Sequence, residues 1–560
     1  MAVRPTVVIE DEKDDMTKGR EKSDGCVVPE GRRKAVQTAK RASSGGKAAT
    51  ASEEAVQLEL FAETAANPQG ADGVVDSGEP VSASLAVPKS ETGSSNQLPA
   101  MTIEEVASPE NLKRAFEKVR ANKGAPGPDR QSIEWVEAHL ETILPIVVRD
   151  LRSGRYQPGM VRRVWIDKAG GGQRGLGIPN VVDRMIQQAV LQLMQAHWEP
   201  TLHASSHGFR PGRSCHTAIA EARRYLSEGF EWVVDFDLEK FFDRVPHDRL
   251  MSRLETRIQD RALLGLIRRM LKAKVVMPDG VVVGTEEGTP QGGPLSPLLS
   301  NIVLDELDRE LSRRGYRFVR YADDCNIYVR SERAGLRVMD SVTRFIEGRL
   351  RLKVNRDKSA VARPEQRHFL GFRLRRRPGG NSTEVWLSKR SKQRIYEKVR
   401  VLTPRTWGRS LGDCIQRLNA YLRGWFGFFR ICSVSELVTF DSIDAHIRRR
   451  LRAIVLRHWK RKRSIHRRIL RARGKPGVAR SIYRGRRSWW ALSHHPAVET
   501  ALPNRIFDER GLVSIGWLLD RTTCGLSIVP AAQSQMSCGS KGRRRYTGYS
   551  PNTGIPKSRM

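Results

Sequence analysis

The tetrapeptide Tyr321-Ala322-Asp323-Asp324 sits between two short apolar runs, Arg317–Tyr321 and Cys325–Val329, and its reading decides the fold. Runs of that length about a tight turn predict two adjacent β-strands. Carboxylates at the ends of buried strands are costly to ionise unless a cation offsets the lost hydration. Taken alone, Asp323-Asp324 reads more readily as a polar turn than as a metal site, because Asp favours turns. The whole tetrapeptide is rarer, a chance event on the order of one per cent or less at average composition. A second acidic stretch lies upstream. Val233-Val234-Asp235-Phe236-Asp237 predicts a short buried strand that opens into Leu238-Glu239-Lys240-Phe241-Phe242-Asp243. Oxygen ligands from two separate segments suit Mg²⁺, which keeps several waters and binds through one or two carboxylates plus substrate phosphates. Two such ions, about 3.5–4 Å apart, activate an attacking hydroxyl and stabilise a leaving pyrophosphate.

Further stretches flank these carboxylates: Gly288-Thr289-Pro290-Gln291-Gly292-Gly293-Pro294-Leu295-Ser296-Pro297, then Leu352–Lys358 with Phe369-Leu370-Gly371-Phe372. Upstream are Lys168, Arg174-Gly175-Leu176-Gly177-Ile178-Pro179 and Asp183-Arg184. In type and order the set resembles the motifs of reverse transcriptases. The resemblance implies that Asp237, Asp323 and Asp324 are catalytic and, with the main-chain carbonyl at Leu238, hold two Mg²⁺ ions. It implies a sugar gate at Phe242 and a nucleotide pocket lined by Gln291. It further implies triphosphate contacts from Lys168 and Arg174, and a place near the leaving pyrophosphate for Lys358. His207-Gly208-Phe209-Arg210-Pro211-Gly212-Arg213-Ser214, the helical lead-in Ser108–Gly127 and the segment Leu411–Cys432 are similar to bacterial group II intron reverse transcriptase/maturase proteins. The last of these looks like the maturase-specific (domain X) thumb helices. The similarity covers about 101–520. Gly175 departs from it, because the family usually has Pro after the fingers arginine. No Cys-pair and His cluster of the H-N-H endonuclease type follows; Cys524 and Cys538 lie too far apart, without histidine company, to form one.

Length and charge agree with that resemblance. At 560 residues the chain is too long for one core. With 98 Lys+Arg against 62 Asp+Glu, its formal net charge is +36, so nucleic acid is the expected partner. No stretch approaches the roughly 18 apolar residues that cross a bilayer, so no membrane association is expected. Met1–Asp15 has no apolar run and carries Glu10, Asp11, Glu12, Asp14 and Asp15, unlike a secretory or organellar leader. The 7 cysteines contain no C-x-x-C pair, and Cys414 and Cys432 read as buried small side chains. The expected setting is the reducing cytoplasm, in association with a ribonucleoprotein.

Charge is unevenly spread. Residues 1–100 carry 12 Lys+Arg against 16 Asp+Glu, are rich in Ser, Gly, Ala and Pro, and read as a disordered extension with one apolar-acidic patch, Val56–Phe61. Short strands interleaved with helices predict an α+β fingers and palm over 101–375. Its elements are a capped helix from Ser108, a hairpin over 160–180, and helices over Asp183–Trp198 and His216–Glu228. The full expectation is a right-hand polymerase: fingers and an antiparallel palm sheet, an α-helical thumb/maturase domain over 385–475, a basic nucleic-acid-binding region over 476–530 and a disordered tail over 531–560.

Tyr421, Trp425, Phe426, Phe428 and Phe429 recur with Leu418 and Leu422 at helical spacing, which favours a buried helix face over base stacking. Residues 441–490 carry 18 Lys+Arg against 2 Asp+Glu. Arg448, Arg449, Arg450, Lys460, Arg461, Lys462, Arg463, Arg467 and Arg468 therefore read as phosphate contacts, as do Arg210 and Arg213 in the basic loop. The function expected is RNA-directed DNA polymerase and intron maturase. Its partners would be intron RNA template, primer or target DNA, and dNTPs. Two alternatives stand beside it: a domesticated bacterial reverse transcriptase serving, for example, phage defence, or a splicing-only RNA-binding maturase with an idle polymerase site.

Overall fold

The computed structural model describes residues 100–523 apart from 168–171, 378–379, 381, 405–406, 409, 473–474 and 484–487. Lys168, the patch Val56–Phe61, the extension up to residue 99 and the tail over 531–560 lie outside the described residues, as do Cys524 and Cys538.

Among the described residues, helices α1 (Pro109–Ala121) and α2 (Leu140–Arg152) follow a short helical turn over Ile103–Val106. Ser108 caps α1 by accepting from the Asn111 N–H, and Pro109 follows at the first helical position, where its missing donor costs nothing. A hairpin follows, β1 (Val161–Asp167) and β2 (Gln173–Ile178), then α3 (Val181–Trp198) and α4 (Cys215–Ser227). Strand β3 (Trp232–Phe236) leads to α5 (His247–Glu255) and α6 (Arg261–Leu271), and then to the short strands β4 (Val275–Val276) and β5 (Val282–Val283). Helix α7 (Ser296–Arg313), strands β6 (Arg317–Tyr321) and β7 (Asp324–Val329), helix α8 (Glu332–Phe345) and β8 (Ala360–Ala362) complete this half. Beyond it lie the hairpin β9 (Phe372–Arg376) and β10 (Thr383–Leu387), then α9 (Lys389–Leu402), α10 (Leu411–Phe429), α11 (Leu437–Trp459), α12 (Lys462–Arg471), α13 (Pro496–Ala501) and α14 (Ile515–Thr523).

The central sheet has order β6-β7-β3-β8, and every neighbouring pair is antiparallel. Both of its faces are covered, which is why its strands read as nearly continuous apolar runs. Val234, Phe236, Ile327 and Phe318 face a core built with α1, α3, α5, α6 and α7. Val233, Val319 and Tyr328 face a second core, shared with α4, β9, β10, α9, α10, α11 and α14. The hairpin β1–β2 is part of a larger sheet than its sequence suggested. Order β2-β1-β4-β5 joins it, through a parallel β1–β4 pairing, to two-residue strands too short to leave a period.

Helix α10 buries Leu418, Leu422, Trp425, Phe426 and Phe429, the core face its spacing predicted. Cys414 and Cys432 are buried thiols, each pushed above the ordinary value by desolvation. A third, smaller cluster gathers Leu456 of α11, Ile465 and Ile469 of α12 and Val498 of α13.

Candidate active site

Register assembles the acidic site. Strands β3 and β7 pair Val233 with Tyr328, Asp235 with Asn326 and Phe236 with Cys325. One step beyond, Asp237 falls opposite Asp324. Because side chains alternate, Asp235 and Asp237 share a face, and their partners place Asn326 and Asp324 on that face too. Asp323 occupies the two-residue turn between the paired residues Tyr321 and Asp324. The segment after β3 is held by Val354: a bridge pairs it with Leu238, the Asn355 N–H donates to the Asp237 carbonyl (2.8 Å) and the Glu239 N–H to the Lys353 carbonyl (2.8 Å).

Electrostatics mark these carboxylates as short of positive charge. Asp324 is open to solvent on one side, yet its carboxyl is pushed up to about 7, first by desolvation and then by Asp323, Asp235 and Asp237, with Lys358 opposing. Asp323 is raised by desolvation, against the pull of Arg174. Asp235 is raised by desolvation and partly relieved by Arg367, whose Nε and Nη2 donate to Asp235 Oδ2 at 2.9 and 2.5 Å. Lys358 Nζ lies 3.5 Å from Asp237 Oδ2. Among the described residues no three His, Cys, Asp or Glu side chains close around a point by themselves. The deficit of positive charge around Asp323 and Asp324 is what a divalent cation relieves.

The segments that bear Phe242 and Gln291 are tied to each other and to β2. Phe242 is half-buried in a 3-10 turn over Phe241–Asp243, packed edge-on against Phe241, and its carbonyl accepts from the Thr289 N–H at 2.6 Å. Gly288, at φ +91°, leaves no room for a Cβ, which would stand 2.8 Å from that carbonyl. The Gln291 carbonyl accepts from the Gly177 N–H (2.6 Å), joining this loop to β2. Gly175, the departure from the family pattern, is explained locally. The Arg163 side chain crosses it, donating from Nη1 to the Gly175 carbonyl at 3.1 Å, and a Cβ there would meet Arg163 Cδ at 2.9 Å.

Several basic residues do not stand where the sequence placed them. Arg210 is buried, not a nucleic-acid contact: Nε donates to Glu199 Oε1 (2.8 Å), Nη1 to the His203 and Ser206 carbonyls (2.6 and 2.9 Å), and Nη2 to the Glu199 carbonyl (3.1 Å). Arg450 is likewise buried, donating to Thr403 and the Arg400 carbonyl. Arg213 is half-buried and tied to the Ala204 carbonyl. Arg449 stacks on Trp490 at 4.1 Å and Arg468 on Trp459 at 4.9 Å; Arg448 is half-buried beside Arg449. Lys460, Arg461, Arg463, Arg467 and Arg468 are exposed, and Lys462 is half-buried. Sequence reasoning passed over the Arg367–Asp235 pair, although Asp235 shares a strand face with Asp237 by simple alternation.

Residues 166–374 match the family described as Reverse transcriptase (RNA-dependent DNA polymerase), and residues 392–474 match Group II intron, maturase-specific domain. The chain is 34% identical to Protein YkfC of Escherichia coli over 313 residues, 49% of this chain and 82% of that protein. It is 28% identical to the Group II intron-encoded protein LtrA of Lactococcus lactis over 356 residues, 52% of this chain and 59% of LtrA. It is also 27% identical to the Putative COX1/OXI3 intron 2 protein of Saccharomyces cerevisiae over 322 residues, 47% of this chain and 38% of that protein. The similarity thus spans less than two thirds of the last two relatives. Among the described residues no helix is long and apolar enough to cross a membrane.

Proposed function

Since this chain belongs to the family of group II intron-encoded reverse transcriptase/maturase proteins, we propose that it copies intron RNA into DNA and assists splicing of the same RNA. The observation that carries the polymerase half is the register that sets Asp237 opposite Asp324, with Asp323 in the turn between β6 and β7. Asp237, Asp323 and Asp324, with the Leu238 carbonyl, are the residues that would hold the metal. When bound there, two Mg²⁺ ions supply activation of a primer 3′-hydroxyl and stabilisation of the leaving pyrophosphate.

The chain's own groups set the rest. Arg174, close enough to Asp323 to pull its carboxyl down, is placed to meet the triphosphate of an incoming dNTP as a fork of donors. Lys358, beside Asp237, offers a point charge to the departing phosphates. Phe242 occupies the side where a ribose 2′-hydroxyl would come, and Gln291 lines the pocket floor. Residues 101–375 serve as fingers and palm and 385–475 as the thumb and RNA-binding helices. Residues 476–530 are assigned as a basic nucleic-acid-binding region, and the setting is a cytoplasmic ribonucleoprotein.

Primer extension on poly(rA)/oligo(dT) with Mg²⁺ tests the polymerase half. Wild-type protein should extend, and Asp323→Asn should abolish extension while leaving intron RNA affinity within a few-fold, about threefold at most. Comparable loss of RNA affinity in that variant would mean the site is structural.

A further inference from the structure

Behind the catalytic turn lies a buried cluster that the polymerase motifs do not use. Arg320, the residue before Tyr321, is completely buried, and so is Asp308 on α7. Nε and Nη2 of Arg320 donate to Asp308 Oδ1 and Oδ2 at 2.7 and 2.6 Å. Nη2 also donates to Ser206 Oγ at 2.7 Å, and Nη1 to Asn301 Oδ1 at 3.0 Å. The other Nη1 proton goes to the carbonyl of Ala322, at 2.8 Å, inside the turn itself. Every N–H of the guanidinium is thereby used. A buried ion pair is a poor way to gain stability, since apolar side chains of similar volume commonly do as well. What an apolar pair lacks is a planar fork that grips α7 and the turn at once.

Ala322 is the residue that needs gripping. Its φ of +55° is the left-handed conformation that the first central residue of a two-residue hairpin turn must adopt, a position usually given to Gly or Asn. The turn is also braced from below. A Cβ on Gly208 would run into the Ala322 backbone, and the Gly208 carbonyl accepts from Asn301 Nδ2 at 2.9 Å. The Arg320 backbone is clasped by the same loop, its N–H donating to the Ser205 carbonyl (2.9 Å) and its carbonyl accepting from the His207 N–H (2.8 Å). Hydrogen bonds therefore tie helix α7, the loop 205–208 and the turn to one another.

We propose that Arg320 is a positioning residue for nucleotidyl transfer: through the Ala322 carbonyl it fixes the left-handed turn, and so the directions in which Asp323 and Asp324 present their carboxylates toward Asp237. This rests on the polymerase reading. Arg320 touches neither substrate nor metal; it acts through the turn. A displacement of the reacting groups by about 1 Å costs on the order of 10²-fold in rate.

Arg320→Lys keeps a cation opposite Asp308 but cannot also reach Ala322. In rapid-quench single-nucleotide incorporation its rate constant per active enzyme should fall about 10²-fold, with KM for dNTP and RNA affinity changed less than about threefold. A role in stability alone would lower the burst amplitude and the melting temperature but leave the rate constant unchanged, and that result overturns the proposal. A second readout needs no turnover. With Fe²⁺ in place of Mg²⁺ and hydrogen peroxide and ascorbate added to generate hydroxyl radicals, cleavage of the chain around residues 321–325 should be seen in wild type and reduced in Arg320→Lys; undiminished cleavage also counts against it. If Arg320→Lys fails to fold, Asn301→Ala removes one of the Nη1 acceptors and the Gly208 tie without stranding a charge. It should show the same split at about 10-fold, and an unaltered rate constant there likewise defeats the idea. Wild-type protein that neither extends primers nor cleaves at the turn would bring down the polymerase reading and this one with it. Wild-type activity matched by both variants would bring down this one alone.

Discussion

Asp324 shows what one residue can report about an ion. Its carboxyl stands at about 7 because its surroundings are desolvated and three other carboxylates crowd it. An unfolded chain would release that proton near the ordinary value of 3.8. Between about pH 4 and 7 the folded state therefore holds more protons than the unfolded state, so the stability of the metal-free protein falls as pH rises across that window and levels off above about 7. Asp323 and Asp235, also raised, push in the same direction. A divalent cation competes with those protons, so its stabilising effect should grow with pH. The rise in melting temperature on adding Mg²⁺ should be larger at pH 8 than at pH 6, and Asp324→Asn should flatten the difference. Equal rises at both pH values in wild type would disconnect Asp324 from the ion. Phe242 invites a simpler test. If its ring fills the space of a 2′-hydroxyl, Phe242→Ala should incorporate rNTPs at a rate clearly above wild type, and an unchanged ratio of rNTP to dNTP use would remove the gate from this residue.

Among the elements, strands were legible where both faces are buried, because β3, β6 and β7 carry dense apolar runs and their alternation alone sets Asp235 and Asp237 on one face. Strands β4 and β5 were not legible, since two-residue strands leave no period to read. The loop 207–214 misled in a different way. Arg210 looks like any surface cation in sequence; what buries it is Glu199, eleven residues upstream, and carbonyls that no side-chain pattern announces. Pairing between elements is equally hidden, and Gly292 carries one such contact. At φ +121° it passes so close to the Gly177 carbonyl of β2 that a Cβ would collide with backbone. Gly292→Ala should cost about 1–3 kcal/mol, from strain and overpacking together, seen as a lower denaturation midpoint. Because the contact joins β2 to the loop bearing Gln291, KM for dNTP should also rise. Unaltered stability would mean the loop simply moves aside.

At the scale of the whole molecule the question is which of the many cations meet nucleic acid. Net charge cannot say, because Arg210, Arg320 and Arg450 add to it while buried inside the protein. Exposure and partnership sort them better. Lys460, Arg461, Arg463 and Arg467 are exposed, and among the described residues none of their side chains makes a recorded ion pair. Lys460 and Arg461 precede α12 and Arg463 and Arg467 lie on it, a helix whose apolar side, Ile465 and Ile469, is buried against the third core. The helix therefore stays in place when its outer charges are removed. Phosphate binding by such groups works through counterion release, so RNA affinity should fall steeply with salt. Replacing these four residues by Ala should shrink the slope of log K against log[salt] by at most about 3–4 units, and by less if some never touch phosphate. The melting temperature should scarcely change. Extension on a saturating, pre-annealed primer-template should be nearly unaffected, since none of the four lies in a polymerase motif, while splicing assistance should fall with the lost affinity. Replacing Arg210 instead should leave the salt slope alone and lower stability, because it leaves the Glu199 carboxylate and three carbonyls without their donor. If the quadruple variant keeps the wild-type slope, α12 is an ordinary solvated face and the path of the RNA runs over other cations, with the half-buried Arg448 and the Trp490-stacked Arg449 next to be tested.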